Sequence, residues 1–431
     1  MQLASRSGIR ANHFQNSVAS FPATLNRVSP ERDDLTTTWF SPGRIEVLGK
    51  HTDYAGGRSL LAALDRGVTV RVDPTEEGLT ASSDAMPGTV VLGEGPLPMG
   101  HWGNYLNAAV ARLARNFRSV RPGHLSVLST LPLASGMSSS SALLVASTLA
   151  LAHHSGIDRD DRWVTRLNTP EALATYLACI ENGSSFGDLE GDRGVGTFGG
   201  SEDHTAMVCC HPSELAQYSF TGSQPVREAS ISFPDDLTFV VVMSGVLAEK
   251  TGPALKLYNR SSELVKEIVL RWNRATNRTD ANIGQVISVD PDAQERLVRL
   301  VADDAALRER LSQFLAESEE YVPAGADALS RRDLTAFGAV SAASWQAADS
   351  GLHNQINETR HLASRAVELG AHASSPFGAG YGGSVWALTS VESADAMGQA
   401  WLDDYLSAYP QNSALASVLV TRPASGVRQL G

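Results

Sequence analysis

Three short segments of this chain bring together residues that can bind anions, move protons or accept hydrogen bonds from hydroxyl groups. Residues 43–57 read GRIEVLGKHTDYAGG and set an arginine, a lysine, a histidine and an aspartate among glycines. Residues 132–142 read PLASGMSSSSA, and residues 199–207 read GGSEDHTAM. Charged side chains on glycine-rich backbone are typical of a chain that turns closely around a small ligand.

The serine-rich segment follows a predicted strand, residues 124–133, and opens an apolar helix predicted to end near Gly156. Backbone amides at a helix N-terminus, together with the positive end of the helix dipole, attract anions such as phosphate. Serine hydroxyls add further donors or a ligand for Mg²⁺. A helix cap without any ligand would have a similar sequence. The Walker A pattern GxxxxGK[ST] does not occur, so a P-loop nucleotide domain is not supported.

The acidic segment centres on Asp203, which follows Gly199 and Gly200 and precedes the strand-compatible residues TAMVCC. An aspartate in such a turn can act as a base, bind a metal or simply cap the turn. Taken alone, Arg44 is equally consistent with an ordinary arginine on the surface or in an ion pair.

A later glycine cluster, FGAGYGG, contains the spacing GxGxxG at Gly378, Gly380 and Gly383. A dinucleotide-binding fold needs a strand before this motif and a helix after it. Here AHASSP precedes the motif, and the strand-like SVWAL follows it. The sequence therefore favours a tight loop that approaches a ligand or a neighbouring element.

Length and composition limit the classes of protein. A chain of 431 residues is long enough for two domains. We place a leader at 1–35 and domains at 36–225 and 236–425, because the composition changes near 221–236. The formal net charge of −12 argues against nucleic acid as a partner. No signal peptide or membrane-length apolar run is evident, which predicts a cytoplasmic protein without a membrane partner. The cysteines, Cys179, Cys209 and Cys210, are expected to be buried and free.

Taken in order, the segments SPGRIEVLGKHTDYAGG, LPLASGMSSSSALLVA, GGSEDHTAMV and GAGYGGSVWAL resemble one family. It is the galactokinase branch of the superfamily of galactokinase, homoserine, mevalonate and phosphomevalonate kinases (GHMP). The matching segments span residues 42–388. The resemblance implies an α/β (α+β) fold with a ribosomal-protein-S5-like N-terminal domain and a ferredoxin-like C-terminal domain. The active site would lie in the cleft between the two domains.

The resemblance also implies an activity: transfer of the γ-phosphoryl group of MgATP to the anomeric C1 hydroxyl of a galactose-like hexose. Asp203 matches the aspartate beside that hydroxyl. Arg44 matches the arginine that keeps the aspartate ionised and stabilises the transferred group. Both roles agree with electrostatics, because an adjacent guanidinium lowers a carboxyl pKa and offsets charge that develops on the phosphoryl group.

Further roles follow from the same motifs. The residues matching the ATP-phosphate loop are Ser135, Gly136, Met137, Ser138, Ser139, Ser140 and Ser141. The residues matching Mg²⁺ ligands are Ser140 and Glu181. The residues matching sugar-facing positions are His51, Asp53, Gly200 and, in KLYNRSS, Tyr258. A carboxylate such as Asp53 can accept hydrogen bonds from two neighbouring ring hydroxyls. The sequence carries no signal for oligomeric state.

Two departures from the family bear on the substrate. Lys50 stands where the family has a glutamate that accepts a hydrogen bond from the primary hydroxyl at C6. A lysine can only donate, which suggests a hexuronic acid such as galacturonic or glucuronic acid. Alternatively, Lys50 points away and pairs with an acid such as Glu46. The segment 183–196 also looks longer than usual and could cover the sugar.

A different class of function stays open alongside the kinase: a non-catalytic sensor that binds sugar and ATP. Retention of Arg44, Asp203 and the serine-rich loop favours the enzyme.

Overall fold

The computed structural model describes residues 36–95, 97–132, 135–247 and 253–430, and for residues 253–256 and 258 the backbone alone. The predicted leader, residues 1–35, lies outside the described residues. Residues from Thr36 onward form one compact unit.

Strands and helices alternate irregularly along the described chain. The strands are β1 (Thr37–Leu48), β2 (Arg58–Pro74), β3 (Leu79–Ser83), β4 (Thr89–Leu92), β5 (Gly123–Ser129), β6 (Glu214–Ser219), β7 (Val226–Ser232), β8 (Leu237–Met243), β9 (Ala373–Pro376), β10 (Ser384–Ser390), β11 (Ser417–Thr421) and β12 (Arg428–Leu430). The α-helices are α1 (Gly103–Asn116), α2 (Ser139–His154), α3 (Asp161–Arg166), α4 (Pro170–Asn182), α5 (Glu202–Cys209), α6 (Pro253–Thr276), α7 (Ile283–Val289), α8 (Ala293–Leu300), α9 (Ala305–Leu315), α10 (Val322–Ser330), α11 (Leu334–Leu352), α12 (Asn357–Glu368) and α13 (Ala394–Ala408).

The first sheet is built around the long strand β2. Its strands run in the order β12-β1-β2-β5-β3-β4, with β6 also paired to β2 and β7 paired to β6. The first residues of β2 pair with β6 and its last residues pair with β5, while β1 follows it along most of its length. The C-terminal strand β12 returns to this sheet and pairs with β1.

Helix α2 packs against β1 and β2. Its sequence, SSSALLVASTLALAHH, is apolar on every side, and nearly all of it is buried. A helix that is apolar all round is stable in water only when other elements cover it completely. The N-terminus of α2 is therefore held firmly in the middle of the fold.

The second sheet has the order β11-β8-β10-β9, with every pairing antiparallel. Strand β8, LTFVVVM, is buried along its whole length because both faces of the sheet are covered. Val240 and Val242 pack with α12 and α13. The alternate residues, Phe239 and Val241, join a large apolar core shared with the first sheet.

The predicted strand that begins at residue 124, the helix that ends near Gly156 and the strand at SVWAL are confirmed as β5, α2 and β10. The exact domain boundaries stay a prediction. Strand β7 lies inside the segment 221–236 that we took as a junction, and it belongs to the first sheet. The step to the second sheet therefore occurs only between Ser232 and Leu237.

Two local expectations were wrong. TAMVCC belongs largely to helix α5, not to a strand, because the N-terminus of this short helix is stabilised by contacts distant in sequence. A strand, β9, does precede the GxGxxG spacing, but the next element is strand β10. The spacing still does not indicate a dinucleotide-binding site, because such a site needs a helix after the glycines.

The expectation for the cysteines is confirmed. Cys179, Cys209 and Cys210 are buried and free, and burial raises the pKa of the Cys179 thiol to about 11. Across the described residues, we find no helix with both the length and the apolar character needed to cross a bilayer. The cytoplasmic location stays a prediction.

Replacing Trp401 by alanine should destabilise the layer under the second sheet. Trp401 is fully buried, and its indole N–H donates to the Leu362 carbonyl at 3.0 Å. We expect the free energy of unfolding to fall by about 3–5 kcal/mol, the usual cost of truncating a buried aromatic residue. Urea denaturation followed by circular dichroism measures this. Trp401→Phe, which keeps a ring in the same space, should lose clearly less, and equal losses would contradict this packing.

Candidate active site

Strand β1 carries the first two charged groups of the site. Arg44 and Glu46 are two residues apart, so their side chains leave the strand on the same face. The pairing of β1 with β2 is irregular on either side of them, between Pro42 and Arg44 and between Glu46 and Leu48. Such bulges bend a strand and re-aim its side chains. Both residues are 3% exposed and line one cavity.

The Arg44 guanidinium connects the serine-rich loop to Asp203. Its Nη2 lies 2.7 Å from Asp203 Oδ1, and its Nη1 donates to the Gly136 carbonyl at 2.6 Å. Burial alone would lower the pKa of Arg44, but Asp203, then Glu202 and Glu46, outweigh burial and raise the pKa. Arg44 therefore stays charged inside the protein.

Asp203 lies in the first turn of α5, where the helix dipole favours a negative charge. Its second oxygen, Oδ2, accepts a hydrogen bond from the Ser138 hydroxyl. The side chain remains 16% exposed, so a ligand in the cavity can reach the carboxylate. Asp53 Oδ2 accepts from the Glu202 amide at 3.1 Å and so satisfies one of the free amides at the start of the helix.

The serine-rich loop turns sharply into α2. Ser138 has a left-handed backbone conformation, with φ of 58°, directly before the helix begins at Ser139. Ser138 Oγ also lies 3.0 Å from Ser141 Oγ. Ser139 and Ser140 are half-buried in the first turn, where the amides have no partner within the helix. The predicted phosphate loop, residues 135–141, thus meets Asp203 at the N-terminus of a buried helix.

The glycine cluster after β9 supports this loop. A Cβ on Gly378 would lie 2.8 Å from the Gly136 carbonyl oxygen, and Gly378 has φ of 78°. Only glycine fits such a close approach in that conformation. Ser384 donates to the Ser135 carbonyl from the start of β10. The GxGxxG spacing therefore reflects packing of two loops.

One cavity, with about 510 Å³ of empty space that includes open solvent, brings the predicted catalytic pair together with part of the predicted sugar site. The predicted residues that line it are Arg44, His51, Asp53, Glu181, Gly200 and Asp203. The flanks of the long segment 183–196, Asn182 and Thr197, also line it. The segment itself is held elsewhere, because the Arg112 guanidinium donates to the Ser184 and Glu190 carbonyls from α1.

His51 and Gly200 form the wall near Asp53. His51 Nε2 lies 3.2 Å from the Ala379 carbonyl, which can only accept, so in the neutral ring Nδ1 accepts from the Tyr54 hydroxyl at 2.8 Å. A Cβ on Gly200 would lie 2.4 Å from Asp53 Oδ2. A side chain at position 200 would therefore displace the carboxylate.

Lys50 occupies a different environment. It is 1% exposed, its ammonium donates to Ser344 Oγ at 3.0 Å, and Glu317 Oε1 lies 4.0 Å away. Lys50 is not one of the described residues that line the cavity. The contacts agree with the alternative that pairs Lys50 with an acid, although that acid is Glu317 rather than Glu46.

A single helical stretch holds the loop that contains Lys50 and His51. Gln313 Nε2 donates to the Lys50 carbonyl at 3.0 Å, and Arg310 Nη2 donates to the His51 carbonyl at 2.6 Å. Glu317 Oε1 accepts from the amides of Gly49 and Lys50 at 2.6 and 3.1 Å. We name Arg310, Gln313 and Glu317 the loop clamp.

The last member of the loop clamp lies in a π-helical segment, Ala316–Tyr321, between α9 and α10. The amide of Val322 bonds the Glu317 carbonyl, five residues back. Pro323 follows and has no amide to offer a regular helix. The wider turn shifts the register of this helical stretch, as π segments at functional sites often do.

Two buried carboxyl groups, Glu46 and Glu202, share a hydrogen bond in the cavity wall. Burial raises the pKa of Glu46 to about 7, although Lys50 and Arg44 oppose the rise. Burial, reinforced by Glu46 and Asp53, also raises the pKa of Glu202 well above its usual range. Ser59 Oγ donates to Glu202 Oε2 at 2.9 Å.

The remaining predicted residues are placed as follows. Glu181, near the end of α4, is buried, and its Oε2 lies 3.2 Å from His204 Nε2. Ser140 lies in the first turn of α2. Tyr258 belongs to α6, but its side chain lies outside the described residues.

Sequence reasoning gave no role to several residues that the structure brings to the site. In the cavity wall these are Glu46, Tyr54, Asn182, Thr197, Glu202 and His204. Strand alternation after Arg44 would have pointed to Glu46, and adjacency to Asp203 would have pointed to Glu202. No signal in the sequence marks the loop clamp, because its members lie more than 250 residues from the loop they hold.

Two family models and several curated proteins match this chain. Residues 30–74 match the family described as galactokinase galactose-binding signature, and residues 104–187 match the GHMP kinases N terminal domain. A galactokinase of Thermococcus kodakarensis is 24% identical over 396 residues, which cover 91% of this chain and 99% of the relative. A galactokinase of Mycobacterium tuberculosis is 26% identical over 363 residues, covering 84% and 91%.

Solved structures share the fold. A Lactococcus lactis galactokinase complexed with galactose superposes with a TM-score of 0.72 at 22% identity, over 92% of this chain and 95% of that one. An L. major mevalonate kinase in complex with R-mevalonate gives 0.56 at 15% identity, over 90% and 96%. Both family matches, and the relatives aligned along most of their length, support the resemblance of this chain to the galactokinase branch of the GHMP kinase superfamily.

Proposed function

We propose that this protein is a sugar 1-kinase, which transfers the γ-phosphoryl group of MgATP to the anomeric C1 hydroxyl of a galactose-like hexose. The observation that carries the proposal is the Arg44–Asp203 ion pair, which joins the ligand cavity to the serine-rich loop at the start of α2. The named activity of the relatives that match along most of the chain supports the same reaction.

In this reaction Asp203 receives or orients the C1 hydroxyl proton. Both of its oxygens have protein partners, Arg44 and Ser138, and the carboxylate remains open to the cavity. A carboxylate held by an adjacent guanidinium stays ionised and keeps lone pairs free for a hydroxyl donor. Arg44 also places fixed positive charge near the transferred group, where negative charge develops.

Residues 135–141 would hold the ATP phosphates with the first amides of α2 and the serine hydroxyls. The chemistry of the donor set fits Mg²⁺, since Ser140 and Glu181 offer oxygen ligands and Mg²⁺ commonly takes few protein ligands beside phosphates and water. Among the described residues no group of three or more acidic, histidine or cysteine side chains could hold a metal by itself. Bound there, Mg²⁺ neutralises phosphate charge.

Asp53, His51 and Gly200 form the proposed sugar wall. The position of Lys50 argues against a hexuronic acid, because its ammonium is engaged by Ser344 and Glu317. A sugar carboxylate would instead meet the carboxyls of Glu46 and Glu202 in the cavity wall. We therefore propose a hexose without a carboxylate at C6.

Asp203→Asn should abolish most turnover, because an amide cannot take the hydroxyl proton. We expect kcat to fall by about 10²–10⁴-fold, the usual contribution of a general base. Coupled ATP-consumption assays with galactose measure the rate, and phosphorus NMR identifies phosphate at C1. The control Asp188→Asn changes an exposed acid that pairs with Arg162 and Arg166.

Two results would refute the catalytic proposal. Substantial turnover in Asp203→Asn would remove Asp203 from the mechanism. Binding of galactose and MgATP by the unaltered protein, without any sugar phosphate formed, would favour the sensor.

Gln313→Met should weaken sugar binding by releasing the Lys50 carbonyl from the loop clamp. We expect the KM for galactose to rise by at least about tenfold, because the Lys50 carbonyl and the Arg310 guanidinium each lose a buried hydrogen bond, with the KM for ATP little changed. Steady-state kinetics in both substrates measures this. Gln399→Met, on the exposed side of α13, is the matched control. An equal rise in KM for galactose and for ATP would indicate general damage to the site and contradict a role of Gln313 in positioning the sugar-binding loop.

A further inference from the structure

The cavity wall holds more acid than the surrounding cations balance. Glu46 and Glu202 contact each other, and the carboxylates of Asp53, Asp203 and Glu317 lie close enough to disfavour ionisation of one or the other. Against these five acids stand two cations, Arg44, which pairs with Asp203, and Lys50, beside Glu317; both also act on Glu46 without offsetting the effect of its burial.

Two oxygens of these five acids are buried without a hydrogen-bond partner in the protein, Glu46 Oε1 and Glu317 Oε2, and of the two residues Glu46 is the one that lines the cavity. A buried acceptor left in this state is destabilising, because it has lost its hydrogen bonds to water without gaining others. An unsatisfied carboxyl oxygen at the wall of a ligand cavity therefore marks a position where a bound molecule supplies the donor.

We propose that the Glu46–Glu202 carboxyl pair selects an acceptor sugar that carries a protonated amino group, a hexosamine. The inference rests on the proposed sugar kinase activity and specifies the class of its substrate. Glu46 Oε1 accepts a hydrogen bond from the ammonium, whose positive charge the pair stabilises.

An ammonium suits this wall better than a hydroxyl for two reasons. It brings three donors, so it can satisfy Glu46 Oε1 and still bond a neighbouring group. It also brings a positive charge, which lets both carboxyls ionise in a buried site where two adjacent carboxylates would otherwise repel each other. A neutral hydroxyl supplies one donor and leaves the charge surplus unchanged.

The decisive experiment compares kcat/KM at pH 7 for galactose, galactosamine, 6-amino-6-deoxygalactose and N-acetylgalactosamine. We expect one of the two amino sugars to exceed galactose by at least about tenfold, since a well-formed buried charge pair contributes that much or more. N-acetylgalactosamine, which is neutral, should gain nothing. Glu46→Gln should reduce the preference to near unity, and Glu202→Gln should reduce it as well.

Controls separate charge recognition from damage. Glu295→Gln removes an exposed acid, 80% exposed, and should keep the full preference. Far-UV circular dichroism checks that each variant folds. The proposal is overturned if galactose equals or exceeds both amino sugars, or if the preference survives in both Glu46→Gln and Glu202→Gln.

Failure of the kinase proposal is recognised separately. If no sugar is phosphorylated, titration calorimetry with galactosamine and galactose still tests the inference on the intact protein. Tighter binding of galactosamine that Glu46→Gln removes would support the carboxyl pair as an ammonium site. Equal affinity for the two sugars would overturn it.

The raised pKa of Glu46 should also make the stability of the ligand-free protein depend on pH. Glu46 has a folded-state pKa of about 7 against an ordinary value of 4.5, with Lys50, Arg44, Glu317 and Glu202 facing it. Its protonated form therefore contributes stability that is fully present below pH 4.5 and is lost as the pH rises through about 7. Between pH 4.5 and about 7, we expect the free energy of unfolding, measured with urea, to decline less steeply for Glu46→Gln than for the unaltered protein. Parallel profiles for the two proteins would contradict the raised pKa.

Discussion

The site depends on keeping the Arg44 guanidinium charged and in place inside the protein. Burial of such a charge is costly unless carboxylates and hydrogen-bond acceptors surround it. Asp203 and the Gly136 carbonyl provide these partners, and they come from the two segments that a phosphoryl transfer would use. One ion pair thus fixes helix α5, strand β1 and the serine-rich loop relative to one another.

Rigid surroundings are needed for that ion pair to act. Helix α2 is buried almost entirely, so its N-terminus cannot shift without disrupting the main core. The loop at Gly49–His51 has few apolar side chains of its own and is held instead by polar groups of the loop clamp. Apolar packing therefore positions the proposed phosphate side, and buried hydrogen bonds position the proposed sugar side.

The same buried polar network changes how Lys50 is understood. As an isolated substitution in the signature segment, a lysine suggested an anionic substrate. In the fold its charge is used internally, beside Glu317, and the cavity wall presents the unsatisfied carboxyl of Glu46. A ligand meets the charges that line the cavity and have no partner inside the protein. We therefore infer a preference for a positively charged substrate, whereas Lys50 alone suggested a negatively charged one.

The resemblance to the family, the elements β5, β10 and α2, and the candidate residues Arg44, His51, Asp53 and Asp203 could be predicted from the sequence, because they lie in or beside short local motifs. The sequence could not reveal that TAMVCC is mainly helical, since the Asp53 carboxylate that caps α5 lies 149 residues away. The partner of Lys50 and the charge balance at Glu46 become visible only in the folded protein. Both depend on which distant groups share a buried, weakly screened environment, and a linear pattern of residues does not contain that information.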